Sequence, residues 1–109
     1  APAADEAGTL RAGAFAFDRR AMTVRLGERV EGLTPHEFDC AWLLAGNAGA
    51  VVTRARLREA MTRGAAGAIR DRTVDACISR LRRKLLALDG CARRIRSVHG
   101  QGYLLDPAA

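Results

Sequence analysis

Between Arg72 and Leu88, the residues Val74, Ile78, Leu81, Leu85 and Leu88 recur at intervals of three and four. That spacing defines a single apolar stripe along a helix, which must be laid against a core supplied by the rest of the chain. The opposite face of the same helix carries Arg72, Ala76, Ser79, Arg80 and Arg83. Small residues set among arginines let a helix approach a duplex closely and still reach phosphates or base edges. A second basic stretch follows, Arg93-Arg94-Ile95-Arg96-Ser97-Val98-His99-Gly100-Gln101-Gly102-Tyr103, and reads as a hairpin. A basic helix followed by a basic hairpin points to a DNA-binding module.

The charge distribution agrees. The chain of 109 residues carries a net charge of +6, but residues 1–53 sum to −2 and residues 54–109 to +8. The basic excess therefore belongs to the half that holds the helix and hairpin, and a polyanion is its natural partner. A membrane surface is the competing polyanion. No apolar run approaches the roughly 20 residues of a spanning helix, and the basic helix lacks the large aromatics of an interfacial anchor. The length suits one domain with a modest core, which must be mainly aliphatic because only 5% of residues are aromatic. The three cysteines, Cys40, Cys77 and Cys91, are odd in number and show no C-x-x-C spacing, so neither a disulfide framework nor a zinc site is expected. Cys40 and Cys77 fall in helical segments as small apolar residues. No targeting segment is visible, which makes the cytoplasm the expected compartment.

Along the chain, residues 1–9 read as a linker, residues 10–106 as the domain and residues 107–109 as a tail. Alternation over Leu10–Phe17 predicts one extended strand with Phe15 and Phe17 on one face. A second strand is predicted over Met22–Leu26, then a tight turn at Gly27-Glu28 and a third strand over Arg29–Leu33. Thr34-Pro35-His36-Glu37 is a helix start with a capping box. This helix is predicted to reach about Ala45, with Phe38, Ala41, Trp42 and Ala45 on one stripe, and to lie between the meander and the other helices. Thr53 caps a second helix ending near Met61, with Leu57, Ala60 and Met61 inward. A Gly/Ala-rich loop spans Thr62–Arg70. Asp71 is the predicted cap of the third helix, and Asp75 is assigned to its first turn. Two strands, about Arg94–Val98 and Tyr103–Leu105, close the domain. The fold class expected is α+β: an antiparallel meander, three helices and a C-terminal hairpin.

From Leu10 to Asp106 the chain resembles the C-terminal effector domain of OmpR/PhoB-type response regulators. The resemblance rests on Leu33-Thr34-Pro35-His36-Glu37-Phe38, on Asn47-Ala48-Gly49-Ala50-Val51-Val52-Thr53-Arg54, on Arg72-Thr73-Val74-Asp75 with Leu81-Arg82-Arg83-Lys84-Leu85, and on Ile95-Arg96-Ser97-Val98-His99-Gly100-Gln101-Gly102-Tyr103. It implies a bacterial winged helix-turn-helix whose third helix enters the major groove and whose wing reaches the adjacent minor groove. It further implies a receiver domain in the same chain, phosphorylated through a sensor histidine kinase, and tandem homodimers on direct repeats. RNA polymerase is the implied partner of the loop between the second and third helices, with Arg63, Gly64, Gly67 and Arg70 as contact candidates. The wing tip carries His99 where many relatives have arginine, the loop lacks their tryptophan, and Trp42 stands where many have a polar residue.

Taken together, the residues expected to meet DNA are Arg72, Thr73, Ala76, Ser79, Arg80 and Arg83 on the third helix and Arg94, Arg96 and His99 in the wing. Arg80 is the first candidate for base readout, with Arg72 and Arg83 as phosphate contacts. Thr73 near the helix start is a further phosphate candidate. For Arg94 and Arg96 an ordinary charged strand face is the equal alternative. Arg82 and Lys84 flank the stripe and are expected at the helix edges. Gly100 and Gly102 are expected to serve turn geometry, and Tyr103 to pack the wing onto the core. His36 and His99 have no metal-ligand partners at suitable spacing, and no cofactor site or catalytic constellation is present, so no enzyme is expected. Two other readings stay open: a winged-helix interaction module docking an acidic partner, and the same DNA-binding domain fused to a membrane-spanning sensor.

Overall fold

A computed structural model of the chain describes residues 8–62, 69–90 and 94–106. It opens on four antiparallel strands, β1 (Thr9–Ala12), β2 (Phe15–Asp18), β3 (Thr23–Leu26) and β4 (Arg29–Gly32), paired in chain order. Where alternation suggests one strand over Leu10–Phe17, the chain instead reverses at Gly13-Ala14, with Ala12 opposite Phe15. Gly13 has φ 60, as the first central residue of a two-residue hairpin turn. The reversal has a packing reason. Leu10 and Phe17 are an odd number of positions apart, so a straight strand would send them to opposite faces. The hairpin instead brings Leu10, Ala12, Phe15 and Phe17 to one buried face. Gly27 repeats the device with φ 61 between the paired residues Leu26 and Arg29. The longer β2–β3 loop is held by Asp18, whose Oδ1 accepts from the backbone N–H groups of Arg20 and Ala21.

Three helices follow: α1 (Pro35–Gly46), α2 (Arg54–Thr62) and α3 (Asp71–Asp89). At the start of α1 both halves of the capping box form: Glu37 N–H donates to Thr34 Oγ1, and Thr34 N–H donates to Glu37 Oε1. Helix α1 touches β1, α2, α3 and the C-terminal hairpin, and so lies between meander and helices as its apolar pattern predicts. Trp42 is half-buried; its ring lies 5.5 Å from Phe38 and beneath the Arg19 guanidinium, 4.3 Å away. Helix α2 buries Leu57, Ala60 and Met61 and receives a cap from Thr53, which accepts from Arg56 N–H. Helix α3 buries Val74, Cys77, Ile78, Leu81, Leu85 and Leu88, and ends at Gly90 with φ 72. Its start differs from expectation. Arg70 is the N-cap residue, without a side-chain cap, and Asp71 is the first helical residue, ion-paired with Arg58. Asp75 lies beyond the first turn and is recruited to a cross-element contact instead.

The hairpin comprises β6 (Ile95–Val98) and β7 (Gly102–Leu105). A strand with no sequence signature, β5 (Val52–Thr53), pairs with β7 on its other edge, giving a second sheet in the order β5-β7-β6. One continuous core joins both sheets and all three helices. Phe17, Val24, Leu44, Leu57, Met61, Ile78, Leu81, Leu85 and Leu105 lie at its centre. Cys40 and Cys77 are buried there as free thiols, and contact with Cys77, together with burial, pushes the Cys40 thiol well up.

Candidate nucleic-acid interface

The apolar stripe fixes the roll of α3, and with it the residues that face outward. Arg72, Ala76, Ser79, Arg80 and Arg83 are all exposed, and Thr73 is half-buried. The backbone N–H of Thr73 already donates to Arg70 O at 3.0 Å, which leaves its hydroxyl as the group to offer a ligand. Arg72 and Arg83 have no ion-pair partner among the described residues, whereas Arg80 is anchored. Its Nε donates to Glu37 Oε2 at 3.0 Å, and its side chain remains 45% exposed against 1% for Glu37. Lys84, one helical turn along, donates to Glu37 Oε1 at 2.5 Å and to Gly32 O at 2.8 Å. Glu37 is therefore a buried carboxylate joining the start of α1 to the middle of α3. Burial alone pushes its pKa up. Hydrogen bonds from Lys84, the Thr34 N–H and Arg80 outweigh that and hold it below the ordinary 4.5.

Side chains bind the wing to α3. Arg82 donates from Nε to Ile95 O at 3.0 Å and from a terminal nitrogen to Ser97 Oγ at 2.6 Å. Tyr103 is buried, as expected of a residue packing the wing onto the core, and its hydroxyl donates to Asp75 Oδ1 at 2.5 Å. Arg54 from α2 donates to the same oxygen at 3.0 Å. Burial pushes Asp75 upward, but the Tyr103 hydroxyl and the Arg54 guanidinium bring it below the ordinary 3.8. The guanidinium groups of Arg54 and Arg82 each lie 5.4 Å from the Tyr103 ring centre.

Among the wing candidates, Arg96 and His99 are exposed. Arg94 is not on an outer strand face. Its side chain is 13% exposed and donates to Asp89 Oδ2 at 2.5 Å and Asp106 O at 3.3 Å. The end of α3 and the end of β7 converge on it, so its guanidinium braces the hairpin base. Of the loop candidates, Arg70 is exposed at the N-cap of α3, while Arg63, Gly64 and Gly67 lie outside the described residues. Arg82 and Lys84 sit at the helix edges as expected, each with a partner the sequence did not reveal. One signal for the hub was available. Arg80 and Lys84 are four residues apart on α3 and so share a side of it, and a glutamate in a capping box needs only one of its oxygens.

Both depressed carboxylates stabilise the fold while ionised. A carboxylate held below its ordinary value contributes in full above that value and loses the contribution as pH falls through the folded-state pKa. The domain is therefore expected to lose stability progressively below about pH 4.5, as Glu37 and Asp75 take up protons. Urea midpoints measured across the acid range test this. A midpoint that does not move between neutral pH and about pH 3 would contradict both assignments.

Among the described residues no helix is long and apolar enough to cross a membrane, and no cluster of three side chains is arranged to hold a metal. A helix-turn-helix followed by a hairpin wing, with a basic helix face turned to solvent, defines the winged-helix class of DNA-binding domain. The family described as transcriptional regulatory protein, C terminal, matches residues 27–105. The chain belongs to this non-enzymatic family, the C-terminal DNA-binding domains of OmpR/PhoB-type response regulators. It is 36% identical over 100 residues to the transcriptional regulatory protein RstA of Escherichia coli (strain K12), covering 92% of this chain and 41% of RstA. The Klebsiella pneumoniae RstA DNA-binding domain, solved in complex with the RstA box, matches with TM-score 0.74 and 34% identity, covering 92% of this chain and 98% of that one. The Thermotoga maritima response regulator DrrB, an OmpR/PhoB homologue, matches with TM-score 0.72 and 30% identity over 91% of this chain and 44% of DrrB. The chain spans about two fifths of the length of the curated relatives it matches.

Proposed function

We propose that the domain binds a specific duplex by seating α3 in the major groove, with Arg80 reading a base edge. The observation that carries this reading is the outward face of α3, where exposed arginines flank Ala76 and Ser79 and Arg80 is held half-exposed by a buried carboxylate. Arg72, Arg83 and the Thr73 hydroxyl contact phosphates, and Ala76 and Ser79 face a base edge or a thymine methyl. Arg96 and His99 approach the backbone or the adjacent minor groove, with Arg94 as the brace behind them. The Klebsiella pneumoniae RstA DNA-binding domain, 34% identical and solved in complex with the RstA box, supports duplex binding here.

In the whole protein, the segment preceding β1 links this output domain to a cytoplasmic receiver phosphorylated by a sensor histidine kinase. Phosphorylation favours a homodimer on direct repeats, so that two half-sites are held at once. The loop between α2 and α3, with Arg63, Gly64, Gly67 and Arg70, is the contact for RNA polymerase.

Selection from a random duplex library, followed by binding of the winner and of scrambled DNA across a salt series, tests the core of this reading. An enriched motif whose binding outlasts added salt is expected. No motif, with weak binding abolished by salt at equal rates on all sequences, would instead favour an acidic protein partner. Arg80→Ala is expected to lower affinity for the selected site by about 1–3 kcal/mol and to affect random DNA far less. Arg83→Ala is expected to weaken both alike and to flatten the salt dependence by about one unit. Equal losses for Arg80→Ala on both duplexes would reduce Arg80 to a phosphate contact.

A further inference from the structure

We infer that Glu37, a buried residue in the first turn of α1, is a positioning residue for DNA specificity: its second carboxylate oxygen sets the guanidinium of Arg80 before DNA arrives. This rests on the proposal that Arg80 reads a base.

The capping box at the start of α1 requires one glutamate oxygen to accept from the Thr34 N–H, and Oε1 does so at 3.0 Å. Lys84 Nζ shares that oxygen. Oε2 is left over from the cap, and it is turned to α3, where it accepts from Arg80 Nε at 3.0 Å. A neutral glutamine would complete the capping box equally well and would not require a charge to be buried. Burying a carboxylate is costly unless cations and hydrogen bonds compensate it. Here a side chain only 1% exposed is compensated by two cations from the same helix face. Capping alone does not account for that arrangement; holding Arg80 does.

The geometry of the hold matters. A guanidinium presents five N–H donors in one rigid plane. Gripping it at Nε restrains that plane and turns the end-on edge, formed by the two terminal nitrogens, away from Glu37. The side chain stays 45% exposed. That edge is the one suited to paired acceptors such as guanine O6 and N7. An arginine already ordered loses less rotamer freedom on contact, and one confined to a single plane discriminates better between base edges. Among the described residues, Arg72 and Arg83 on the same face have no such carboxylate, which suits groups that follow phosphates.

The test compares motifs selected from a random duplex library by the wild-type chain, Glu37→Gln, Arg80→Ala and the double variant. Arg80→Ala is expected to lose discrimination of at least about fivefold at one base position. Glu37→Gln is expected to lose at least about threefold at that same position and little elsewhere. The double variant is expected to lose no more there than Arg80→Ala alone. A merely stabilising role would weaken every position together. If Arg80→Ala loses the position and Glu37→Gln keeps it, the inference fails while base reading by Arg80 stands. If Arg80→Ala keeps the full motif, or the wild type enriches none, the inference falls together with the reading beneath it. A measurement on the wild-type chain covers the case of a variant that does not fold. In the DNA-free protein the Arg80 Nε–H should give a sharp, slowly exchanging NMR signal, distinct from those of Arg72 and Arg83. An Arg80 signal as mobile as theirs would overturn the inference.

Discussion

Alanine at position 102 is expected to destabilise the domain by about 3–4 kcal/mol and to detach the wing from the helices. Gly102 is the first residue of β7, with φ 157, and is paired with Val98 on one side and Thr53 on the other. A Cβ there would lie 2.1 Å from the Val52 carbonyl oxygen and 2.9 Å from Thr53 Cα. Both are backbone atoms of β5, so no side-chain rotation relieves the overlap, and only separation of β5 from β7 does. Gly100, two residues earlier, is the internal control. Its φ of 72 also favours glycine, but a Cβ there meets nothing within 4 Å. Gly100→Ala should therefore cost only the conformational penalty, about 1–2 kcal/mol. Urea unfolding of the two variants, read beside amide spectra of the hairpin, measures the difference. Equal and small losses would mean that β5 and β7 do not approach as described.

The second large effect is at Glu37. Glu37→Ala is expected to cost about 3–5 kcal/mol, the range for removing one member of a buried charged cluster. Three losses coincide: the return half of the capping box, the counter-charge of Lys84, whose side chain is 27% exposed, and the anchor of Arg80. Glu37→Gln keeps the cap and should cost less, about 1–3 kcal/mol. Arg58→Ala provides the contrast. Its partner Asp71 is more than half exposed, and an ion pair so placed contributes at most about 1 kcal/mol. Thermal and urea unfolding of the three variants should rank them in that order. A Glu37→Ala protein no less stable than Arg58→Ala would show that the cluster contributes nothing net.

What the sequence made legible is what local periodicity and local hydrogen bonding encode. The capping box over Thr34–Glu37 was readable because both partners lie within one turn. The stripe from Val74 to Leu88 fixed the roll of α3 and so placed Arg72, Ala76, Ser79, Arg80 and Arg83 outward before any contact was known. The hairpin at Gly13-Ala14 was not readable, since small residues alternate alike in one strand or in two. Strand β5 has two residues, too few for a period, and exists because β7 offers it an edge. Residue type alone makes Asp71 the cap, but the chain enters α3 through Arg70 and gives Asp71 to Arg58. In the sequence Arg94 is one more charge on a basic hairpin. Its burial depends on Asp89 and Asp106, which only tertiary folding brings beside it. The unused oxygen of Glu37 was hidden for the same reason: Arg80 is 43 positions away.

Strand β5 runs directly into α2, and through β7 it ties that helix to the wing, while Arg82 and Tyr103 tie the wing to α3. The spacing between the helix and the wing tip is thereby set inside the protein. A duplex that engages both must bring its grooves to that spacing, so misfit is taken up by bending or twisting the DNA. Sequences between the two contacts would then be sorted by how readily they deform, and the preference would extend to base pairs that no side chain touches.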